Sequence, residues 1–291
     1  MKIFITGGTG FIGRHLIREL EGNQVLILAR KRPLWASSTR AEWLIGDLRQ
    51  TDLWESRLIE FSPEVCIHLA WDGLPDYSKE ISENNVLLGM NLFSSLEKTA
   101  LKKFVALGSC WEYGDFQGQA LEVQGAKPEN HFALAKVQAC EFFSDSCRRA
   151  GIGFVWPRLF FSFGPGQRDV ALLPTVFNAL EKCEKPIVKS PDSAQDFVYI
   201  SDVARAIALT ATLGNAQGIF NVGSGRLTQV GDFVNMISTE FGSYFRMNFS
   251  GTPKGVFAST DKLKNSTGWE PSFTVRQGVA ETVKALRRNR N

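Results

Sequence analysis

The sequence predicts an α/β fold, with a doubly wound parallel sheet followed by a smaller C-terminal α/β lobe. Short apolar strands alternate with helical segments along the first 222 residues, which is typical of a parallel sheet covered by helices on both faces. The chain also opens with a strand, a glycine-rich turn and a helix, the usual start of such a sheet. With 291 residues it can bury a large core and form one large domain or two unequal ones.

The elements follow from runs of apolar residues and their spacing. β-branched and apolar runs predict strands at residues 2–6, 24–29, 42–45, 64–69, 103–107, 153–159, 196–200 and 218–222. Helical periodicity predicts helices at residues 11–20, 52–61, 82–100, 130–150, 168–181, 201–212, 228–241 and 259–267. Ser201 is the predicted N-cap of its helix, and Pro174 is expected to start or kink the helix that contains it.

Composition excludes several classes of function. The net charge of +3 is too small and too dispersed to predict binding to nucleic acid or to a membrane surface. No apolar run approaches the ~20 residues that span a bilayer, and a structural strand begins at Lys2, so we expect no signal peptide and a cytoplasmic location. The five cysteines form no C-x-x-C pair and the three histidines are scattered, so neither disulfides nor a metal site is expected.

The glycine turn after the first strand predicts a dinucleotide site of the Rossmann type. Gly7 allows a tight turn, Gly10 lets the backbone approach a pyrophosphate, and Gly13 lets helix and strand pack closely. Phe11 and Ile12 begin the helix, whose N-terminus attracts phosphate. The alternative is a glycine-rich turn that binds no ligand.

Three cations end the second strand, where a dinucleotide-binding sheet meets the adenosine ribose. A carboxylate at this place accepts a hydrogen bond from the 2′-hydroxyl of NAD, whereas arginine pairs with the 2′-phosphate of NADP. The chain has no acidic residue here but has Arg30, Lys31 and Arg32. We therefore predict NADP, with NAD as the alternative cofactor and a solvated basic loop as the alternative interpretation.

Several motifs occur in one order over nearly the whole chain. They are TGGTGFIG (6–13), GDL (46–48), HLAW (68–71), GSCWEYG (108–114), FALAK (132–136), RLFFSFGPGQ (158–167), QDFVYISDVARAI (195–207), FNVGSG (220–225) and TGWEPSF (267–273). In these motifs the chain resembles the extended short-chain dehydrogenases/reductases of the NAD(P)-dependent sugar epimerase/dehydratase family. The resemblance implies a dinucleotide-binding domain of residues 1–167 and 192–222. It also implies a substrate lobe of residues 168–191 and 223–291.

The resemblance also implies further cofactor contacts. Asp47, followed by Leu48, would accept a hydrogen bond from the adenine amino group, although a plain turn residue is the alternative for Asp47. Leu69, Ala70 and Trp71 would line the wall near the pyrophosphate and the nicotinamide ribose, because ligands sit beyond the carboxyl ends of such strands. Core packing is the preferred interpretation for His68 and Leu69.

The catalytic pattern of the family is present with one departure. It consists of a Ser or Thr, a Tyr, and a Lys four residues after the Tyr, one helical turn away on the same face. Ser109 and Lys136 match, but Phe132 stands at the tyrosine position and cannot donate a proton. Because the other features are complete, we favour an engineered Tyr→Phe variant. A natural member using His131, Cys110, Glu112 or water as donor, and a binding protein without turnover, are the alternatives.

The resemblance implies a nucleotide-diphosphate sugar bound between the two parts of the chain. The aromatic loop of residues 71–77 suits a hexose, because Trp71 can stack on a sugar ring and Asp72 can bind its hydroxyls. A packed hydrophobic loop is the alternative. Gln195 replaces an arginine common in the family, so another cation would meet the diphosphate: Arg168, Lys189 or Lys254. Arg168 is the candidate because it directly follows GPGQ, and a surface arginine is the alternative. Ser109, Cys110 and Trp111 complete the predicted substrate contacts.

We therefore predict an NADP-dependent reductase of a nucleotide-linked 4-keto sugar, often 6-deoxy, in deoxysugar and surface polysaccharide biosynthesis. An epimerase that retains NAD and a non-catalytic dinucleotide-binding protein are the alternatives. A dehydratase is disfavoured, because Cys110 and Trp111 replace the Asp-Glu pair that usually follows the Ser or Thr. The family commonly dimerises through two long helices, here residues 82–100 and 130–150.

Overall fold

The structure is a computed structural model that describes residues 1–288. The strands are β1 Lys2–Thr6, β2 Gln24–Ala29, β3 Glu42–Ile45, β4 Val65–His68, β5 Lys103–Ala106, β6 Gly108–Ser109, β7 Gly118–Ala120, β8 Gly153–Leu159, β9 Phe161–Phe163, β10 Ala194–Gln195, β11 Phe197–Tyr199, β12 Gly218–Val222, β13 Thr228–Gln229 and β14 Val256–Ala258. The helices are α1 Gly13–Glu19, α2 Glu55–Phe61, α3 Lys79–Leu96, α4 His131–Ala150, α5 Leu172–Glu181, α6 Ile200–Thr212, α7 Val230–Phe241, α8 Asp261–Thr267 and α9 Val275–Arg288.

The central sheet confirms the predicted doubly wound fold. Its strands are parallel in the order β12-β8-β5-β4-β1-β2-β3, and β6 also pairs with β8. From β1 the chain adds strands first towards β3 and then, through β4, towards β12, so the order reverses beside β1. A crevice opens at this switch point, beyond the carboxyl ends of β1 and β4.

Burial on both faces explains why the strands are continuous apolar runs. Ile3 and Ile5 of β1 face one core, shared with α1 and α6, whereas Phe4 faces the other. On that second face Phe104 of β5 and Phe143 of α4 lie with their ring centroids 4.8 Å apart. Alternate residues of each strand therefore attach to different helical layers, which fixes the strand ends relative to α1 and α4.

The second half of the chain packs α5, α7 and α9 together. The core cluster on the α1 face of the sheet continues into it through Phe177, Phe233 and Val279. Asp196 links the loop before β11 to this half: its buried carboxylate accepts hydrogen bonds from the backbone N–H groups of Ser224, Gly225 and Ala258. No helix within residues 1–288 is long and apolar enough to cross a membrane.

Several element ends differ from the sequence prediction. Ser201 does not cap its helix: α6 begins at Ile200 after the extended residue Tyr199, and the Ser201 hydroxyl is buried without a hydrogen-bond partner in the structure. The chain passes straight from β11 into α6, so no polar residue stands between them. Pro174 lies in the first turn of α5, where its missing N–H costs nothing.

Candidate active site

The glycine turn packs tightly between β1, β4 and α1. Gly7 has a φ of +73°, and a Cβ there would lie 2.6 Å from the backbone nitrogen of Ala70. A Cβ on Gly13 would lie 2.4 Å from the carbonyl oxygen of Gly7, so only glycine allows α1 this close to the turn. No side chain caps the first turn of α1 in the described structure. Phe11 and Ile12 are half-buried and pack against the core.

A cleft lies at the predicted switch point of the sheet. It is lined by Thr6, Gly7, Thr9, Gly10, Leu28, Ala29, Arg30, Gly46, Asp47, Leu48, Arg49, His68, Leu69, Ala70, Trp71, Asp72, Asn85 and Leu88. The structure thus brings together most of the predicted cofactor contacts. Lys31 and Arg32 are exposed and lie outside this lining, whereas Arg49 belongs to it and was missed by the sequence analysis.

Four charged side chains meet at the β2 and β3 end of the cleft. The Asp72 carboxylate lies 2.6 Å from an Arg49 guanidinium nitrogen and 3.6 Å from one of Arg30. Arg49 also lies 3.2 Å from Asp47. The hydrogen bond from Arg49 lowers the pKa of Asp72 below its usual value. Because these side chains are partly exposed, the pairs hold the groups loosely, and a ligand can compete for them.

Lys136, buried on α4, lies behind Trp71 of the cleft wall and lines a small neighbouring cavity. Its Nζ donates a hydrogen bond to the carbonyl oxygen of Leu107 at 2.8 Å and lies 3.6 Å from the centre of the Trp71 ring. Burial lowers the pKa of Lys136 to about 7. The contact with the indole face offsets part of the cost of burying the ammonium group.

Phe132 lies one helical turn before Lys136, as predicted, and is caged by aromatic rings. Its ring centroid lies 5.3 Å from that of Trp71, 5.5 Å from that of Tyr77 and 5.7 Å from that of Trp111. Only 9% of Phe132 is exposed. Lys136 Nζ is 5.6 Å from its ring centre, so positions 132 and 136 face one site.

Ser109 ends β6 and begins the turn Cys110–Tyr113, which packs against α4. Its Oγ accepts a hydrogen bond from the Trp111 N–H, and its own N–H donates to the Glu112 carboxylate at 2.8 Å. Glu112 is fully buried and also accepts from Trp156 Nε1 and from Arg158 Nε, the latter at 2.7 Å. Strand β8 therefore fixes the backbone of Ser109 through a buried ion pair.

The surroundings of Glu112, Cys110 and His131 show which of these alternative proton donors are disfavoured. The Glu112 carboxylate already accepts hydrogen bonds from Ser109, Trp156 and Arg158. Burial raises the pKa of the Cys110 thiol, which is 3% exposed, and makes it a poor acid. His131 is exposed at the first residue of α4. The buried candidates are thus disfavoured.

The loop of residues 71–77 is held from several sides. Asn85 of α3 accepts from the Asp72 N–H at 2.7 Å and donates to the Asp72 carbonyl oxygen at 3.0 Å. Arg168, the candidate for the diphosphate, donates to the carbonyl oxygen of Leu74 and is otherwise exposed. Gln195 lies in β10, opposite Thr228 of β13.

Comparison with known proteins decides the family. The sequence profile of the NAD dependent epimerase/dehydratase family matches residues 3–223. The chain belongs to this family. A nicotinamide dinucleotide is therefore its cofactor class, and its relatives are epimerases, dehydratases and reductases of nucleotide sugars.

Individual members of the family match the chain over nearly its full length. The dTDP-6-deoxy-L-talose 4-dehydrogenase (NAD(P)(+)) of Kitasatospora kifunensis is 28% identical, with 96% of this chain and 94% of the relative covered. The dTDP-4-dehydro-6-deoxyglucose reductase of Escherichia coli is 23% identical, with 98% and 97% covered. The crystal structure of UDP-glucose 4-epimerase with UDP-glucose from Thermotoga maritima superposes with a TM-score of 0.87 at 22% identity, covering 100% of both chains.

The cleft fits the dinucleotide that the family implies. Its glycine wall has no room for a Cβ at Gly7, so backbone alone faces the ligand there. The indole N–H of Trp71 is buried and has no hydrogen-bond partner in the structure, although Trp71 lines the cleft beside Lys136. A polar group bound in the cleft would provide that partner.

Proposed function

We propose that this protein is an NADP-dependent reductase that acts on the keto group of a nucleotide-diphosphate 4-keto sugar, with 6-deoxy sugars preferred. Such a step belongs to deoxysugar and surface polysaccharide biosynthesis. The observation that carries the proposal is the pair Arg30 and Arg49 at the adenosine end of the cleft. Guanidinium groups suit the 2′-phosphate of NADP, which reductases exchange at each turnover.

Residues along the cleft would hold the successive parts of the dinucleotide. The Asp72 carboxylate bridges Arg30 and Arg49 in the structure. The 2′-phosphate would replace this carboxylate and bind both guanidinium groups. Asp47 would meet the adenine, and the backbone at Gly7 and Gly10 would meet the pyrophosphate. When bound, the reduced dinucleotide supplies the hydride.

The reacting end of the site uses the residues that β6 and α4 present. Ser109 would hydrogen-bond the keto oxygen and polarise the carbon that accepts hydride. Lys136 would hold the nicotinamide ribose once Trp71 has left its Nζ. The ring at position 132 lies where a tyrosine would deliver the proton in the family pattern, so turnover in this chain depends on another donor.

The substrate would lie between the 71–77 loop and the second half of the chain. Trp71 and Trp111 offer faces for a hexose ring, and Cys110 would line the pocket wall. Arg168 lies beside this loop and can exchange its hydrogen bond to Leu74 for one to a phosphate, with Gln195 as a neutral contact. We also propose a homodimer through α3 and α4, which pack side by side.

A substrate panel tests the proposal. The protein is mixed with NADPH or NADH and with dTDP-, GDP-, UDP- or CDP-linked 4-keto-6-deoxyhexoses, and the loss of reduced nicotinamide absorbance is followed. We expect NADPH oxidation with at least one sugar. Oxidation of neither dinucleotide with any sugar, in a protein that binds NADPH, contradicts the reductase proposal.

A nucleotide-sugar epimerase is the second candidate, because the UDP-glucose 4-epimerase fold superposes over the whole chain. An epimerase returns the hydride to its substrate, so it keeps NAD through purification and consumes none. Mass spectrometry of the purified protein and product analysis with UDP-hexoses separate the two. Tight dinucleotide binding without either activity, also after Phe132→Tyr, favours the non-catalytic alternative.

A further inference from the structure

The site lacks a phenol at position 132, but a phenol lies next to it. The ring of Tyr77 contacts the ring of Phe132 with centroids 5.5 Å apart, and that of Trp111 with centroids 5.0 Å apart. We propose that Tyr77 donates the proton to the substrate oxygen in this chain. The proposal rests on the reductase function above and names its missing acid.

The other tyrosines are placed elsewhere. The chain has four, and all lie within residues 1–288. Tyr113 is 1% exposed and its hydroxyl donates to Asn221. Tyr199 packs between Phe163 and Phe273 in the second half, and Tyr244 is 99% exposed after α7. Tyr77 is thus the tyrosine whose ring joins the cage around Phe132.

The loop holds Tyr77 in place on both sides. Tyr77 directly precedes Ser78, the N-cap of α3, and the Ser78 N–H donates to the Asp76 carboxylate at 2.8 Å. At the other end of the loop, Asn85 binds the backbone of Asp72. These hydrogen bonds hold the backbone at the two ends of the loop, so Tyr77 can keep a defined position while the side chains of Trp71 and Asp72 move.

The exposure of Tyr77 suits a group that must be reprotonated. Tyr77 is 38% exposed, whereas Phe132 is 9% exposed. Part of its ring therefore contacts the aromatic cage, while water reaches the rest of the side chain. A fully buried donor would need a relay for the returning proton, and Tyr77 needs none.

In the proposed reduction of the keto group, the dinucleotide is the reductant and Tyr77 is the acid. The reduced dinucleotide would supply a hydride to the keto carbon, and the C=O π electrons would become a lone pair on oxygen. The Tyr77 O–H bond breaks and its proton goes to that oxygen, which gives the alcohol. The Tyr77 phenolate then takes a proton from water.

Steady-state kinetics with a double-mutant cycle test the assignment. The variants are Tyr77→Phe, Phe132→Tyr and the double variant, with Tyr244→Phe as the matched loss of a phenol outside the site. We expect Tyr77→Phe to lower kcat by about tenfold or more, as loss of a general acid does, with KM for NADPH unchanged. We expect the same change to cost little in the Phe132→Tyr background, where a second phenol is present.

An NMR measurement can follow Tyr77 in the absence of turnover. Tyrosine labelled with ¹³C at Cζ gives four resonances, assigned by the Tyr→Phe variants. We expect the Tyr77 resonance to shift when the reduced nucleotide-sugar product is added to the NADP complex, while that of Tyr244 stays. An unmoved Tyr77 resonance in a saturated complex overturns the assignment.

The outcomes separate the two proposals. If Tyr77→Phe and the wild-type protein reduce the sugar equally fast, Tyr77 is not the donor and the reductase stands. If His131→Gln abolishes turnover and Tyr77→Phe does not, the donor is His131. If neither the wild-type protein nor Phe132→Tyr reduces any sugar of the panel, both proposals fall.

Discussion

Phe132→Tyr restores the phenol that the family pattern places one turn before Lys136. We expect it to raise turnover by at least about tenfold, because a positioned general acid contributes 10²–10⁴ and Tyr77 supplies part of that already. The ring is caged by three aromatic side chains, so the new hydroxyl is held in one direction.

The distance between Lys136 and this ring sets the strength of the attraction between the ammonium group and a phenolate at position 132. Lys136 Nζ lies 5.6 Å from the centre of the Phe132 ring. Two unit charges at that separation attract by about 3 kcal/mol at an effective dielectric constant of about 20. That attraction favours the phenolate, so it lowers the pKa of a phenol at position 132 relative to the same phenol without the ammonium group. It also raises the pKa of Lys136, which burial sets at about 7.

Two assays check this prediction. NADPH oxidation with the preferred 4-keto sugar gives kcat for wild type and variant, and the absorbance of tyrosinate gives the pKa of the new phenol. Phe249→Tyr adds a phenol in the second half of the chain and is the matched control. An unchanged or lower rate, in a variant that folds and binds NADPH normally, refutes the role given to position 132.

Four further changes test other parts of the site. Arg49→Ala should weaken NADPH binding by about tenfold or more and NADH binding little, measured by calorimetry, since a charge-assisted hydrogen bond contributes about 1.5–3 kcal/mol. Lys136→Met should abolish turnover. It should also remove a rise in wild-type stability above pH about 7, where the unfolded chain binds more protons than the folded one, measured by Tm against pH. Glu112→Gln leaves the buried Arg158 charge unpaired and should cost about 3–5 kcal/mol of unfolding free energy in denaturant titrations. Leu87→Asp on the exposed face of α3 should convert a dimer to a monomer in light scattering.

Matched controls accompany these variants. Arg32→Ala removes a cation that lies outside the cleft lining, so dinucleotide preference should stay. Glu60→Gln breaks an exposed pair with Arg57 and should change stability by less than about 0.5 kcal/mol. Leu34→Asp alters a leucine that is 98% exposed and should leave the oligomeric state unchanged. Equal effects of variant and control would contradict the corresponding prediction.

The central sheet could be predicted from sequence because its strands are buried on both faces. Strands β1, β2, β3, β8 and β12 have the predicted bounds residue for residue. In contrast, β7 and β14 have three residues each and pair across 138 positions of sequence, so no local pattern reveals them. Helix α5 begins four residues later than predicted, because residues 168–171 form the loop that carries Arg168 to Leu74.

The candidate site could be predicted where its residues follow strand ends or share a helix face. Phe132 and Lys136 meet because four residues make one turn of α4. The charged end of the cleft was predicted less well: Arg30 lines it, but Arg49 takes the place expected for Lys31 and Arg32. The packing of β2 beside β3 decides which of several neighbouring cations faces the cleft. A local sequence pattern does not predict this packing. The position of Arg49 directly after the GDL motif was the available signal.

In the proposed site, the 71–77 loop would make the binding of the two halves of a dinucleotide thermodynamically interdependent. Asp72 pairs with Arg30 and Arg49, the ring of Trp71 covers the Nζ of Lys136, and Asp72 and Trp71 are adjacent in the chain. We therefore expect a fragment such as 2′,5′-ADP, which would displace Asp72 from Arg30 and Arg49, to loosen the indole as well and so to raise the affinity for nicotinamide mononucleotide. By linkage the gain is reciprocal, so titrating either fragment against the other measures how stiffly the loop joins them.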